Sequence, residues 1–197
     1  MTQAKPDAAV LAQRPKRADA RRNYEALVSA ARDAFAEDGT KASLEDIARR
    51  AQVGIGTLYR HFPTRQHLLE AVYVDEVEAM CRSAADLGDL PPWDALVEWL
   101  HQFVSFAATK RALAEGMLAS VDQDAQVFRS SREAINTAGD ALLGRAQAAG
   151  VVRPDTSFTD VGRMVSGIAG IRTAEPEQIE RILDVALDGL RYRPASA

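Results

Sequence analysis

The chain has 197 residues, of which 47% are hydrophobic, 26% charged and 6% aromatic, a composition typical of folded globular proteins rather than of disordered or fibrous ones. Its single cysteine, Cys81, cannot form a disulfide within the chain and has no Cys or His neighbour at zinc spacing, so we expect a reducing compartment and no metal site. No apolar run approaches the roughly 20 residues of a membrane helix, and the basic N-terminus lacks the apolar core of a signal peptide. The sequence therefore predicts a cytoplasmic protein that does not associate with membranes.

Charge is distributed unevenly along the chain. Residues 1–67 contain 12 Lys and Arg against 8 Asp and Glu, a net charge of +4, whereas the remaining residues contain 12 against 20, a net charge of −8. A basic first third followed by an acidic body is typical of a DNA-binding segment that is joined to another domain. Chance clustering on a solvated surface gives the same distribution, so charge alone leaves both interpretations open.

The first predicted elements are an arm and a helix. The first 20 residues include Arg14, Lys16 and Arg17 but show no apolar period, which predicts a flexible basic arm. A helix is predicted from Arg21 to Asp38, because apolar residues recur there at the spacing of one helix face. These residues are Tyr24, Leu27, Val28, Ala31 and Phe35.

Two short helices are predicted next. Ser43, three residues before Asp46, is typical of the start of a capped helix. After an interruption at residues 52–54, Leu58 and Phe62 indicate a third helix that ends before a proline. Two short helices joined by about three residues and braced by a longer helix form a helix-turn-helix. A compact helical bundle that does not bind DNA gives the same three apolar stripes.

The residues of this turn carry a specific resemblance. The stretch from Ser43 to Phe62 has the sequence SLEDIARRAQVGIGTLYRHF, and it resembles the DNA-binding signature of the tetracycline-repressor (TetR) family, including that family's Thr-Leu-Tyr-x-His-Phe core. The likeness extends from about Arg21 to Leu69. It implies an all-α fold with the basic arm at 1–20, a helix-turn-helix DNA-binding domain at 21–67, and a helical effector-binding and dimerisation domain at 68–197.

The chain departs from the family pattern at one position of the turn. The resemblance places glycine where this chain has Gln52, and the turn is expected to require a left-handed backbone at that residue. Glutamine adopts this conformation at a cost of about 1 kcal/mol, so we expect the turn to be retained.

The third helix supplies most of the candidate DNA contacts. Thr57, Tyr59 and His61 have polar groups that suit phosphate oxygens, whereas the donors of Arg60 match O6 and N7 of guanine. The resemblance implies the same division and places further base contacts near the start of the helix. Hydroxyl and guanidinium groups at the starts of the flanking helices can reach the same strand. The predicted DNA-binding residues are Ser43, Ile55, Gly56, Thr57, Tyr59, Arg60, His61 and Arg65.

Several of these residues have structural alternatives. Tyr59 is instead a packing residue if its ring lies against the first helix, and His61 is instead a half-buried hydrogen-bonding residue. The basic arm reaches the minor groove in one interpretation and is a solvated tail in the other.

The acidic body is predicted to consist of helices throughout. A helix from Arg65 to Leu87 continues directly from the DNA-binding unit, and Pro91-Pro92 separates it from the next, which has a wide apolar face. Further helices are predicted at Arg111–Ser120, Ala125–Gly150, Ser157–Ile171 and Pro176–Leu190.

The last predicted helix has a sustained apolar stripe, and the helix before it has little side-chain bulk at Gly162, Gly167 and Gly170. Such a pair can form a two-fold four-helix interface with a second copy. The alternative is a core within one chain. The predicted dimer-interface residues are Ile179, Leu183, Leu187 and Leu190.

Large apolar side chains of the middle helices are candidates for an effector pocket, although they also suit plain core packing. Because few ionisable residues are among them, we expect an apolar or amphipathic effector. The predicted ligand-binding residues are Trp99, Phe103, Phe106, Met117, Phe128 and Met164.

Together these features predict a sequence-specific transcriptional regulator that binds double-stranded operator DNA. The resemblance favours a homodimeric repressor that a small-molecule effector of unknown identity releases. A helical interaction protein, or an activator without ligand-induced release, is the alternative. An enzyme is not expected, because the sequence has no glycine-rich phosphate loop and no metal-spaced cluster of His or Cys, and for the same reasons no cofactor is expected.

Overall fold

The computed structural model describes residues 15–117, 126–171 and 173–191, including their side chains except at 40, 108, 110–112 and 114–117. Within these ranges all regular elements are helices, which confirms the all-α prediction, and pairing of β type is limited to an isolated bridge between Val152 and Arg191. A 3-10 turn at Gly39–Lys41 follows the first α-helix. The α-helices are α1 (Ala18–Asp38), α2 (Leu44–Arg50), α3 (Ile55–His61), α4 (Arg65–Asp86), α5 (Pro92–Met117), α6 (Gln126–Ala148), α7 (Phe158–Ile168) and α8 (Pro176–Asp188).

Several helix boundaries differ from those that the sequence predicts, among them the end of α7, which lies at Ile168 and not at Ile171. Helix α1 begins at Ala18, three residues before the expected start at Arg21. Helix α5 continues without a break to Met117, so the separate helix expected from Arg111 was wrong. No glycine or proline precedes Arg111 within this helix to end it after Pro92, and the Lys, Arg, Ala and Leu residues around that position all favour helix.

The chain divides into two compact units. The first consists of the described residues up to Glu78 together with those of Thr109–Ser131, and it therefore holds α1–α3 and the first part of α4. Its core contains the apolar face predicted for α1 and the inward residues of the two short helices. Leu27, Ala31, Ile47 and Leu58 are fully buried in it, as is Leu68 at the start of α4.

The second unit consists of Ala79–Ala108 and the described residues after Ser131. Trp99 is fully buried there, and its indole Nε1 donates a hydrogen bond to the carbonyl of Met80 at 3.0 Å. Gly139 lies against the ring of Phe158, since a Cβ atom at this glycine would be 2.3 Å from two ring carbons. Glycine is therefore required for α6 to approach α7 this closely.

The residues at the starts of α7 and α8 favour helix formation. Ser157 caps α7, since its Oγ accepts a hydrogen bond from the amide of Asp160, and Pro176 occupies the first turn of α8. Leu183 and Leu187 of α8 are 0% and 2% exposed within the single chain, and Leu190 is buried as well. Within the single chain these three leucines keep little surface to lose to a partner, and their place in a dimer interface stays a prediction. Ile179 is half-buried.

Candidate nucleic-acid interface

Helix α2 is fixed at both ends by local hydrogen bonds. At its start the Oγ of Ser43 accepts from the amide of Asp46 at 3.3 Å and donates to Glu45 at 3.0 Å. At its end the amide of Val53 donates to the carbonyl of Ala48, and the amide of Gln52 donates to that of Arg49. This pair of bonds is the Schellman arrangement, which requires a left-handed residue just after the helix.

Gln52 is that left-handed residue. Its φ is +57°, and among the described residues it is the one non-glycine residue with positive φ. The expectation that this position requires a left-handed backbone is therefore confirmed. The same arrangement ends α6, where Gly150 has φ +70° and the amide of Val151 donates to the carbonyl of Ala146.

Helix α3 is attached to the core by a narrow face and exposes the rest. Leu58 is fully buried, while the ring of Tyr59 is 46% exposed and Arg60 is exposed. The alternative of Tyr59 as a packing residue is therefore not supported. Ile55 is exposed, and a Cβ at Gly56 would meet nothing within 4 Å, so the start of the helix is open to a close approach. Thr57 is half-buried.

His61 lies at the edge between this exposed face and the core. Its ring is half-buried, with centroids 6.3 Å from Tyr24 and 6.2 Å from Phe62, and the rings of Tyr24 and Phe62 are themselves 5.1 Å apart. Burial, and after it the positive charge of Arg60, lowers the pKa of His61 below its ordinary value. His61 can therefore offer a phosphate a neutral N–H donor from a position that packing has fixed.

Arg65 connects α4 to the start of the helix-turn-helix. Its Nη1 donates a hydrogen bond of 2.6 Å to the carbonyl of Ala42, directly before the cap of α2. Its charge also contributes to the low pKa of Glu45, after the hydrogen bonds of that carboxylate with its own backbone amide and with Ser43. The sequence predicted a phosphate contact at Arg65 but not this hydrogen bond to Ala42, because the bond spans 23 residues and no local pattern indicates it.

Carboxylates neutralise several arginines around the exposed face. On α2, Asp46 pairs with Arg49 and with Arg50, whose guanidinium also lies 2.8 Å from Glu37. Hydrogen bonds from Arg49 and then Arg50 hold the pKa of Asp46 below its ordinary value. Two further pairs lie on α1, Arg21 with Glu25 and Arg22 with Asp19.

Arg32 ties α1 to α4. Its guanidinium bridges Asp75 and Glu76, two adjacent carboxylates of α4. The bond to Asp75 joins residues 43 apart in the chain, so no periodicity or short motif predicts it.

The predicted ligand-binding residues divide between the two units. Trp99, Phe103 and Phe106 lie in the second unit and form a continuous stack, with ring centroids 5.6 and 5.7 Å apart, and Phe158 packs 5.5 Å from Trp99. Met164 of the second unit is half-buried. Phe128 lies in the first unit, where its ring meets that of Tyr73 edge-on at 5.2 Å. The side chain of Met117 lies outside the described residues, as does Arg14 of the basic arm.

The described ranges contain no group of three His, Cys, Asp or Glu side chains arranged to hold a metal ion. Within the same ranges, none of the helices combines the length and the apolar character that crossing a bilayer requires.

Two family models match the chain. Residues 27–72 match bacterial regulatory proteins of the tetR family, and residues 91–192 match the C-terminal domain of SbtR-like transcriptional regulators. A well-anchored helix-turn-helix with an open third helix, together with these matches, defines a DNA-binding transcriptional regulator. The second match covers more than half of the sequence, and the chain belongs to the TetR family.

Similar proteins agree with this assignment. The crystal structure of the TetR transcriptional regulator SCO0520 from Streptomyces coelicolor is 41% identical, with 88% of this chain and 99% of that chain covered and a TM-score of 0.75. A TetR transcription regulatory protein from Mycobacterium vanbaalenii is 33% identical over 90% of this chain and 100% of that chain, also with a TM-score of 0.75. The HTH-type transcriptional regulator UidR from Escherichia coli K12 is 26% identical over 144 residues, which cover 71% of this chain and 74% of UidR.

Proposed function

We propose that this TetR-family regulator is a homodimeric repressor, which binds a palindromic operator and is released by an apolar or amphipathic small molecule. The observation that carries the DNA-binding part is the exposed face of α3, which presents a hydroxyl, a guanidinium and an imidazole on a helix anchored through Leu58. A helix presented in this way fits the major groove of B-DNA.

Within that face we assign two kinds of contact. Thr57, Tyr59 and His61 hold phosphate oxygens, because their hydroxyl and imidazole groups are suitable hydrogen-bond donors. Arg60 reads a guanine through two donors, and the open start of α3 at Ile55 and Gly56 lies against neighbouring bases. Further phosphate contacts are assigned to Ser43 and Arg65 at the starts of α2 and α4.

Electrophoretic retardation on the DNA flanking the gene of this regulator tests this assignment. The expected result is retardation by a short palindrome, with two protected half-sites about one helical turn apart in a footprint. A scrambled palindrome of the same length is the control. Equal retardation of both DNAs, or a single protected half-site, contradicts the proposed dimeric operator complex.

For the dimer we propose the outer surface of α7 and α8 as the interface. The leucines of α8 are buried within the chain, whereas Val185 on its other side is 75% exposed and Ile182 is half-buried. On α7, Gly167 is exposed, and a Cβ there would meet nothing within 4 Å. An exposed apolar side chain on one helix and an exposed glycine on the other are features that let helices of two subunits approach closely.

For release we propose an effector that binds the non-reading conformation better than the DNA-bound one. For each tenfold loss of operator affinity, the effector must bind the non-reading conformation better than the DNA-bound one by about 1.4 kcal/mol. Bound operator must weaken effector binding by the same factor. The aromatic character of Trp99, Phe103, Phe106 and Phe128, with Met117 and Met164 as the remaining candidates, supports an apolar ligand.

Titration calorimetry with an inducer identified by retardation tests the effector site. Phe103→Ala should weaken binding of the inducer while operator binding without inducer stays within a few fold. Removing a buried ring costs about 3–5 kcal/mol of stability, so the unfolding midpoint of the variant must be measured first. Unchanged inducer affinity in a folded variant assigns Phe103 to the core alone.

A further inference from the structure

Ser131 of α6 carries a buried hydroxyl without a hydrogen bond. Its side chain is 0% exposed, and its Oγ has no hydrogen-bond partner among the described residues. Buried hydroxyls in folded proteins almost always have a partner, and an exception marks a group whose partner is a water, an ion or a ligand.

Two other hydroxyls in the described helices donate to a carbonyl of their own helix. On the same helix the Oγ1 of Thr137 donates to the carbonyl of Glu133, four residues earlier, at 2.9 Å. On α4 the Oγ of Ser83 donates to the carbonyl of Met80 at 2.9 Å. This bond within the helix is the ordinary solution for a buried Ser or Thr, and Ser131 does not use it. Its hydroxyl hydrogen is therefore an unmet donor.

Ser131 lies on a largely apolar part of its helix that includes one aromatic ring. Phe128 lies one turn before it on α6, so the two side chains are neighbours on the helix surface, and both are buried. The ring of Phe128 in turn meets that of Tyr73 on α4 edge-on. These three residues all belong to the first unit, which also contains α1–α3.

We propose that Ser131 is the hydrogen-bond donor of an effector site within the first unit, beside Phe128, and that the effector is an uncharged apolar molecule with a carbonyl oxygen that accepts from this hydroxyl. A charged ligand group is disfavoured next to Phe128, because its desolvation would not be compensated there. This inference rests on the proposed release by a small molecule, and it places the polar contact of that molecule at one atom.

The position of this site also provides a route to the DNA-binding helices. A ligand that bonds Ser131 lies against Phe128 and displaces the edge-on contact of that ring with Tyr73. Tyr73 is part of α4, which Arg32 ties to α1 and which begins at Arg65, the residue bonded to the segment before α2. A shift of α4 is thus passed to the helices that present the DNA-binding face.

Two probes that differ in one polar group test the assignment. Acetophenone has a carbonyl oxygen, and ethylbenzene has the same shape without it. Dissociation constants of both are measured by NMR titration for the full-length wild type, Ser131→Ala and the matched control Ser130→Ala, whose residue is the half-buried neighbour. We expect the preference of the wild type for acetophenone over ethylbenzene to fall about fivefold to tenfold in Ser131→Ala and to remain in Ser130→Ala.

The other outcomes overturn the proposal. One such outcome is a ratio of the two dissociation constants that is the same in all three proteins, and another is no saturable binding of acetophenone to the wild type. Either result means that the Ser131 hydroxyl bonds a water or nothing, and not a ligand. A lower unfolding midpoint of Ser131→Ala than of the wild type means that the hydroxyl has a structural partner. We expect an equal or higher midpoint, because the variant removes a buried group without a hydrogen bond.

Operator retardation with the same proteins separates this inference from the proposed function. Loss of the acetophenone preference in Ser131→Ala together with a wild type that does not bind operator contradicts the repressor and leaves the site in place. Operator binding that an inducer releases equally in the wild type and in Ser131→Ala supports the repressor and contradicts the role of Ser131.

Discussion

Helices α3 and α8 each bury one side, and they differ in how much they bury and in the residues that they expose. Helix α3 has 7 residues and a single buried side chain, Leu58, and its exposed side includes Tyr59 and Arg60. Helix α8 has 13 residues and buries Leu183 and Leu187, and its exposed side carries Val185 among charged residues. The exposed hydrogen-bond donors of α3 suit a polyanion such as DNA. The exposed apolar residue of α8, a helix held by two buried leucines, suits contact with another protein surface.

This contrast also shows that an apolar stripe does not identify an interface. The leucine stripe of α8 lies inside the chain, and the interface residue that we propose, Val185, lies off the stripe. Changes on the two sides of each helix should therefore have different consequences.

The largest effect is expected on the buried side of α8. Leu187→Glu places a carboxylate without a partner in the core, which costs about 3–5 kcal/mol and should unfold the second unit. Val185→Glu on the exposed side should leave the fold intact and yield monomers. Circular dichroism combined with sedimentation velocity measures both properties in each variant.

Two results would break this part of the comparison. A folded and dimeric Val185→Glu protein removes α8 from the proposed interface. A folded, monomeric Leu187→Glu protein returns the leucine stripe to the interface, despite its burial in the single chain.

On the exposed side of α3 the effect should depend on the residue. Arg60→Ala should cost about 1–3 kcal/mol of operator affinity and relax the preference at one base pair per half-site, because a bidentate guanine contact is lost. Tyr59→Phe should weaken binding to all sequences about equally. Selection from a randomised operator library compares the two variants, and a uniform loss for both would make Arg60 a phosphate contact.

The sequence predicts those features of the fold and the site that depend on residues close together in the chain. The three-helix unit, the cap at Ser43 and the left-handed turn at Gln52 are set by residues within a few positions of each other, and periodicity or motif identified them. The direction of the α8 leucines and the bond from Arg65 to Ala42 depend on which element packs against which. Periodicity gives the apolar face of a helix but not the surface that covers it.

A smaller effect is expected at the two Schellman turns, which share a geometry and differ in the left-handed residue. Gln52→Gly should raise the free energy of unfolding by about 0.5–1 kcal/mol, because glycine adopts positive φ without the steric cost of a Cβ. Gly150→Ala should lower it by about 1 kcal/mol for the same reason. A Cβ at Gly150 would meet nothing within 4 Å, so its cost is conformational only.

Urea denaturation of both variants, with Gln52→Ala as the control, measures these differences. The control should unfold close to the wild type, since alanine and glutamine share the same backbone cost. If Gln52→Ala stabilises the protein as much as Gln52→Gly does, the glutamine side chain causes the effect, and not the positive φ of residue 52.

The smallest effect is expected from His61 and concerns pH. Its pKa is lowered in the folded state by burial and then by Arg60, so the fold favours the neutral ring. The stability that His61 contributes is complete above its ordinary pKa of about 6.5 and is lost as the pH falls through the lower folded-state value. His61→Gln should remove a few tenths of a kcal/mol of this pH dependence, since the ring is partly solvated. Unfolding at about pH 7 and pH 5 in both proteins gives the difference, and parallel curves contradict it.

The carboxylates that neutralise the arginines of α1 and α2 have a consequence for the ions released when DNA binds. An arginine that already holds a carboxylate has few condensed anions of its own to exchange and displaces few cations from DNA. The count of 12 Lys and Arg in residues 1–67 therefore overstates the polyelectrolyte contribution to affinity. If about three phosphates per protomer are neutralised, by Arg65 and the remaining basic residues, the logarithm of the binding constant falls with the logarithm of salt concentration at a slope of about −2.7 per protomer. A fourfold rise in salt concentration then lowers the binding constant by about 40-fold for each protomer, so affinity for DNA depends steeply on ionic strength.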